Sequence, residues 1–280
     1  MTQSSNRRGP AFYLLAAFFA LFVIFLYGPM LVIFILSFQG PTGGLTFPLR
    51  GFSTHWFHDL WGSSRYGDLG GALRRSLGLG LMSMVITAIV CLFAGLAFRR
   101  RFWGAGAIFY LAIISLVVPG ILLGLGISQL FQLSGIRLQW WLSGLGAHLS
   151  WTLPFGLLIM FAVLNRFDGT WEEAARDAGA RPWQVLRMVT IPILFPGLIA
   201  VALFGFTLSY DEMPRSLLTV GGKNTLPIEI SNMTTNVTTP ALYAIGTVTS
   251  AISFLVIAAA FVTIAIIQKR RARAKRGTAE

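Results

Sequence analysis

Asn165-Arg166-Phe167-Asp168-Gly169-Thr170-Trp171-Glu172-Glu173-Ala174-Ala175-Arg176-Asp177-Ala178-Gly179-Ala180-Arg181-Pro182-Trp183-Gln184-Val185-Leu186-Arg187-Met188-Val189-Thr190-Ile191-Pro192-Ile193-Leu194-Phe195 is a polar island between long apolar runs. Asp168-Gly169 signals a turn. Thr170 stands three residues before Glu173, the spacing of a capping box, in which hydroxyl and carboxylate each satisfy one orphan amide. Glu172, Glu173 and Asp177 favour the positive end of the helix dipole. Ala174, Ala175 and Ala178 form a small-residue face that another surface can approach closely. Gly179 fits the left-handed position that ends a helix, and Pro182 suits the first turn of a second one. That helix presents Trp183, Leu186, Val189 and Thr190, and is expected to stop near Ile191-Pro192. Residues 165–195 thus predict two short helices with a sharp bend. On physical grounds they are equally an amphipathic hairpin resting on lipid and a docking element for a partner.

The flanking sequence is written for lipid. Of 280 residues, 55% are hydrophobic and 11% charged, where soluble domains carry about 25% charged residues. A bilayer core takes about 20 apolar residues as helix. Six stretches are candidates: 11–38, 73–98, 106–131, 143–164, 196–213, which is somewhat short, and 241–268. The first is longer than a signal peptide's apolar region and shows no clear cleavage site, so it reads as a retained anchor. Tyr27-Gly28-Pro29, Pro119-Gly120 and Pro154 interrupt three of them. Such breaks are tolerated where neighbouring helices or a water-filled cavity satisfy the freed backbone. The expected fold is all-α and polytopic, with short tails at 1–10 and 269–280 around a transmembrane domain of 11–268.

Charge sets the orientation. With the N-terminus inside, 15 of the 22 Lys and Arg residues fall on the inner side and seven on the outer. This bias places both termini in the cytoplasm. The pI near 11 is then a topology signal, with anionic membrane lipid as the partner it implies. No nucleic-acid-binding motif accompanies the charge. Cys91 lies inside an apolar run and reads as a buried structural thiol. His55 and His58 flank Trp56 in the long outer segment 39–72, and two ligands are too few for a zinc site. No metal site is expected.

Glu173-Ala174-Ala175, three residues, Gly179, nine residues, then Val189-Thr190-Ile191-Pro192 resembles the EAA loop of ABC importer permeases. That pattern is Glu-Ala-Ala, three residues, Gly, nine residues, Ile, any residue, Leu-Pro. Val189 replaces Ile and Ile191 replaces Leu, both conservatively; Pro196-Gly197 also looks like the family. The resemblance implies the MetI-like permease fold of a bacterial inner (cytoplasmic) membrane. It implies a loop at 165–195 that couples to a separate ATPase through Glu173, Ala174, Ala175, Gly179 and Pro192. It further implies two ATPase subunits that bind the ATP and Mg, a second homologous permease subunit and a periplasmic solute-binding protein. The chain itself lacks a Gly-x-x-x-x-Gly-Lys-[Ser/Thr] loop, so no cofactor and no enzymatic activity are expected of it.

Asp211 and Glu212 lie in the outer half of the fifth stretch. An ionisable residue at membrane depth is a functional hypothesis by default. The alternative is an end-of-helix pair, with Asp211 meeting Arg215 at i+4. Ser209-Tyr210-Asp211-Glu212, followed by Thr225-Leu226-Pro227-Ile228-Glu229-Ile230, resembles the spermidine/putrescine branch of these permeases. The resemblance implies a polyamine or similar organic cation as substrate, with Tyr210, Asp211, Glu212 and Glu229 along its path. The same branch includes permeases for other small organic solutes. Two further classes compete. A stand-alone secondary transporter predicts an internal repeat, which is not evident. A membrane enzyme needs convergent catalytic groups, and His55, His58 and His148 do not form them.

Overall fold

The computed structural model describes residues 9–62, 64–100, 102–236 and 238–277. Arg7, Arg8 and Arg101, most of the N-terminal tail and the last three residues of the basic tail lie outside this set. Among the described residues the chain is helical, with a lone antiparallel bridge between Gln39 and Phe52. It divides into two compact units, one of Met1–Tyr66 with Met233–Ala251 and one of Gly67–Asn232 with Ile252–Glu280.

In the first unit, helix α1 spans Pro10–Leu36, starting on a proline and carrying Pro29 within it. Its large side chains are exposed along most of its length, as expected of a helix whose solvent is lipid. Beyond it the chain folds around Gln39, which is fully buried. Its amide nitrogen donates to the Gly44 carbonyl at 3.2 Å, and its oxygen accepts from the Arg50 amide at 2.6 Å. Helix α2, His55–Gly62, follows.

The second unit is built on three helices: α3 (Leu69–Phe98), α6 (Leu145–Leu164) and α9 (Ile191–Tyr210). Their contacts use small residues. A Cβ on Gly156 of α6 would come within 2.7 Å of Cys91 Sγ and Thr87 Cγ2 on α3, and one on Gly80 within 2.9 Å of the Phe206 ring on α9. Small residues let membrane helices approach closely where no hydrophobic drive separates lipid from protein. Thr87 and Thr152 add a buried hydroxyl pair at 2.8 Å. Cys91 packs among Leu92, Leu157, Met160, Leu194 and Val201.

Two helix boundaries differ from expectation. The third apolar stretch is two helices, α4 (Ala105–Val117) and α5 (Gly120–Leu133), which meet at 110°. Pro119 biases the residue before it away from helix; Val118 is extended at ψ 126°, and Pro119 caps α5. The fifth stretch, expected at 196–213, starts earlier. A short helix α8 (Pro182–Val185) passes through a π turn at Leu186–Thr190 directly into α9. The wide turn accommodates Pro192, which has no N–H for an α-helical bond to Met188. The second short helix therefore does not stop at Ile191-Pro192, and Pro182–Tyr210 is one apolar helix of 29 residues. With the bent pair counted once, up to six segments among the described residues are long and apolar enough to span.

Candidate functional site

Helix α7 (Thr170–Asp177) is the first arm of the hairpin. The Asp168 carboxylate accepts from the Thr170 amide at 3.0 Å, and that bond holds its carboxyl below the usual range. The turn makes Gly169 the N-cap and puts Thr170 inside the helix. The expected capping box of Thr170 with Glu173 is therefore replaced by an Asp168 turn. At the other end Gly179 adopts φ +84°. Its amide donates to the Arg176 carbonyl and that of Ala180 to the Ala175 carbonyl, a Schellman closure. The second arm begins as the Gln184 side chain accepts from the Arg181 amide at 2.8 Å.

Glu172 anchors the hairpin. It is buried, while Glu173 is exposed. Glu172 Oε1 accepts from Arg99 Nη1 at 3.0 Å and from Thr190 Oγ at 2.7 Å, and Oε2 lies 3.7 Å from Arg176 Nη2. Arg99 also lies 5.0 Å from the Phe167 ring centroid. One carboxylate thus ties α7 to the end of α3 and to the π turn. Burial pushes its carboxyl up, but the hydrogen bonds from Arg99 and Thr190 and the two arginine charges outweigh this and lower it. A depressed carboxyl stabilises above its ordinary value of about 4.3 and loses that effect as pH falls through the lower folded value. Glu172→Gln should raise hydrogen exchange of the α7 amides about ten-fold at neutral pH, given about 1–2 kcal/mol for a partly exposed pair. Wild type should approach the variant only under acid conditions. Equal exchange in the two proteins at neutral pH would mean that the bridge does not anchor α7.

Turning Glu172 inward leaves Glu173, Ala174, Asp177, Ala178 and Gly179 on the exposed side. Ala175 is half-buried, and Pro192 lies in the first turn of α9. Trp171, Trp183 and Met188 are 60%, 63% and 72% exposed.

At the far end of α9 the chain leaves the helix at Asp211, with φ −100° and ψ 8°. The helical i+4 geometry is lost there, so Arg215 pairs with Glu212 and not with Asp211. Arg215 Nη1 lies 3.2 Å from Glu212 Oε2, and its amide donates to Oε1 at 3.0 Å. Both residues are buried, and the guanidinium lies 4.3 Å from the Trp151 ring centroid. Gly120 and Gly124 of α5 give Arg215 room; a Cβ on Gly120 would meet its Nη1 at 2.9 Å.

His148, also buried, completes this cluster. Its ring nitrogens lie 2.7 Å from Ser209 Oγ and 2.8 Å from Ser216 Oγ. The Ser216 hydroxyl donates to the Glu212 carbonyl at 2.6 Å. Its single proton is then used, so Nε2 is assigned as the protonated nitrogen and Nδ1 accepts from Ser209. The histidine ties α6 to both sides of the turn that carries Asp211.

The four pathway candidates have different surroundings. Asp211 is exposed and Glu212 is committed to Arg215. Tyr210 is buried, its ring stacked 5.4 Å from Phe206. Glu229, on helix α10 (Leu226–Asn236), accepts from Asn224 Nδ2 at 3.0 Å. Glu172, Arg99 and His148 were missed as organising residues. The i,i+4 spacing of Glu172 and Arg176 was the available signal for the first; the partners of the other two come from distant sequence.

A helical membrane protein whose broken, glycine-packed spans carry an anchored polar hairpin on one face has the form of a transport subunit. Residues 87–273 match the family of binding-protein-dependent transport system inner membrane components, and the chain belongs to it. It is an inner-membrane permease of the ABC importer class, a transport component rather than an enzyme. It is similar to the spermidine/putrescine transport system permease protein PotC of Haemophilus influenzae, 29% identical over 248 residues, covering 88% of this chain and 94% of that one. It is also similar to the putrescine transport system permease protein PotI of Escherichia coli, 28% identical over 235 residues and 80% of each chain. The fold matches a subunit of a bacterial ABC transporter importing the acidic polysaccharide alginate, with a TM-score of 0.60, 15% identity, and coverage of 97% and 99%. The methionine ABC transporter MetNI matches with a TM-score of 0.56 and 17% identity, over 71% of this chain and 95% of that one.

Proposed function

We propose that the chain is one half of a permease pair that carries a polyamine inward, powered by two separate ATPase subunits and supplied by a periplasmic solute-binding protein. The anchored hairpin carries this reading. Its inward face is held by Glu172, and its outward face offers small residues, Gly179 and exposed Trp171, Trp183 and Met188. Exposed aromatics beside small residues suit a protein partner. The excess of Lys and Arg on the hairpin side supports a cytoplasmic position for that face, where ATP and Mg are available to the ATPase. The second permease subunit is proposed from family resemblance. A binding-protein partner is supported by the alginate transporter, whose crystal structure includes a substrate-bound periplasmic protein.

The substrate class rests on two supports. The relatives above are named for spermidine and putrescine, and an exposed carboxylate, Asp211, stands at the end of α9. A carboxylate lowers the desolvation cost of a passing cation. Tyr210 and Glu229 flank this region in sequence and complete the proposed path.

Reconstitution tests the whole. Proteoliposomes holding the chain, a second permease and the ATPase, with binding protein outside, should accumulate labelled spermidine or putrescine only with internal ATP. Accumulation driven by an ion gradient without the ATPase would establish a secondary transporter. ATP-driven uptake of a different organic solute would keep the permease and reassign its cargo.

A further inference from the structure

A cavity of about 710 Å³ opens between the end of α3 and the inward face of the hairpin. Its charged lining is Arg99, Arg100 and Arg176 against the single carboxylate of Glu172. That carboxylate is already met by Arg99 and Thr190, and Arg176 lies 3.7 Å from its other oxygen. Arg100 has no carboxylate partner among the described residues. The cavity therefore keeps an excess of two positive charges. Its floor is apolar, formed by Leu96, Val185 and Leu186. Arg99 and Arg100 directly follow Phe98, the last residue of a span, and Pro182 opens another. The site thus joins cationic groups to an apolar floor at the end of two membrane helices.

We infer that this cavity binds the headgroup of an anionic glycerophospholipid, with the phosphate on Arg100 and Arg176 and the glycerol and first acyl carbons on the apolar floor. Basic pockets between spans on the cytoplasmic side take such headgroups. A free phosphate would satisfy the arginines and leave the floor wet, so the floor selects the lipid. The cavity uses the Glu172-Arg176 side of α7, a different side from the Glu173-Ala174 one proposed for the ATPase. Lipid and ATPase can then be bound together, the lipid holding the hairpin against α3. This inference rests on the membrane assignment and is independent of the substrate.

The test uses the full chain, equilibrated in nanodiscs of equal phosphatidylcholine and phosphatidylglycerol, then washed in detergent. Native mass spectrometry counts the retained lipid. Phosphatidylglycerol should be retained over phosphatidylcholine, and Arg100→Glu should cut that retention by about ten-fold, the equivalent of one lost charge contact. Arg100→Lys should keep it, and excess inorganic phosphate should not displace it. Equal retention in Arg100→Glu, equal retention of both lipids, or loss in Arg100→Lys as deep as in Arg100→Glu would each overturn the site. Displacement by inorganic phosphate would make the ligand a soluble anion and overturn the lipid assignment.

Discussion

Replacing Gly179 with aspartate is expected to reduce ATP-driven uptake about 100-fold, for about 2.7 kcal/mol of lost coupling, while the chain remains in the membrane. Gly179 sits at φ +84°, and no atom lies within 4 Å of a Cβ built on it. The substitution is therefore not a steric insult. Left-handed backbone costs an ordinary residue about 1–2 kcal/mol, and Asp and Asn tolerate it best. What aspartate adds is charge. It places a third carboxylate beside Glu173 and Asp177 on the exposed side of the hairpin. Like charges brought together at an interface cost several kcal/mol. Gly179→Asn has the same backbone tolerance without the charge and should retain most uptake. The readouts are ATPase co-purification and labelled-substrate uptake. If the aspartate variant binds the ATPase and transports normally, the partner docks elsewhere.

Asp211→Asn is expected to raise the KM for spermidine about ten-fold, the loss of about 1.4 kcal/mol of attraction at a partly solvated site. The fold should survive, because Asp211 is exposed and the buried pair beside it is Glu212 with Arg215. Glu212→Gln is the contrast. It leaves the Arg215 guanidinium, 4% exposed, without its carboxylate, and should lower the amount of folded protein instead of changing KM. Unchanged polyamine uptake by Asp211→Asn would remove the charge argument and leave the permease assignment intact.

The spans were legible because lipid imposes a crude rule: about 20 apolar residues, whatever their partners. The bend at Pro119 was half legible. Proline announces a break, but the 110° angle belongs to tertiary structure, where Gly120 and Gly124 make room for Arg215. The hairpin was legible through Gly179 and Pro182, whose backbone demands are local. Which glutamate turned inward was not. Glu172 and Glu173 point about 100° apart on one helix, and the choice is made by Arg99, 73 residues away. The pairing of Arg215 failed for a related reason. An i+4 argument assumes a continuing helix, and this helix ends at Asp211.

The π turn that joins α8 to α9 has a mechanical consequence. It puts continuous helix where a loop was expected between the hairpin and the span. The 29 residues from Pro182 to Tyr210 run as helix for about 42 Å at 1.5 Å per residue. One end lies beside the surface proposed for the motor, and the other carries the carboxylate proposed for the cargo. Tilted as one body by about 10° about its centre, such a helix would move its two ends about 3.6 Å in opposite directions. A push at the proposed docking end would then reach Asp211 as leverage, without a relay of side-chain rearrangements.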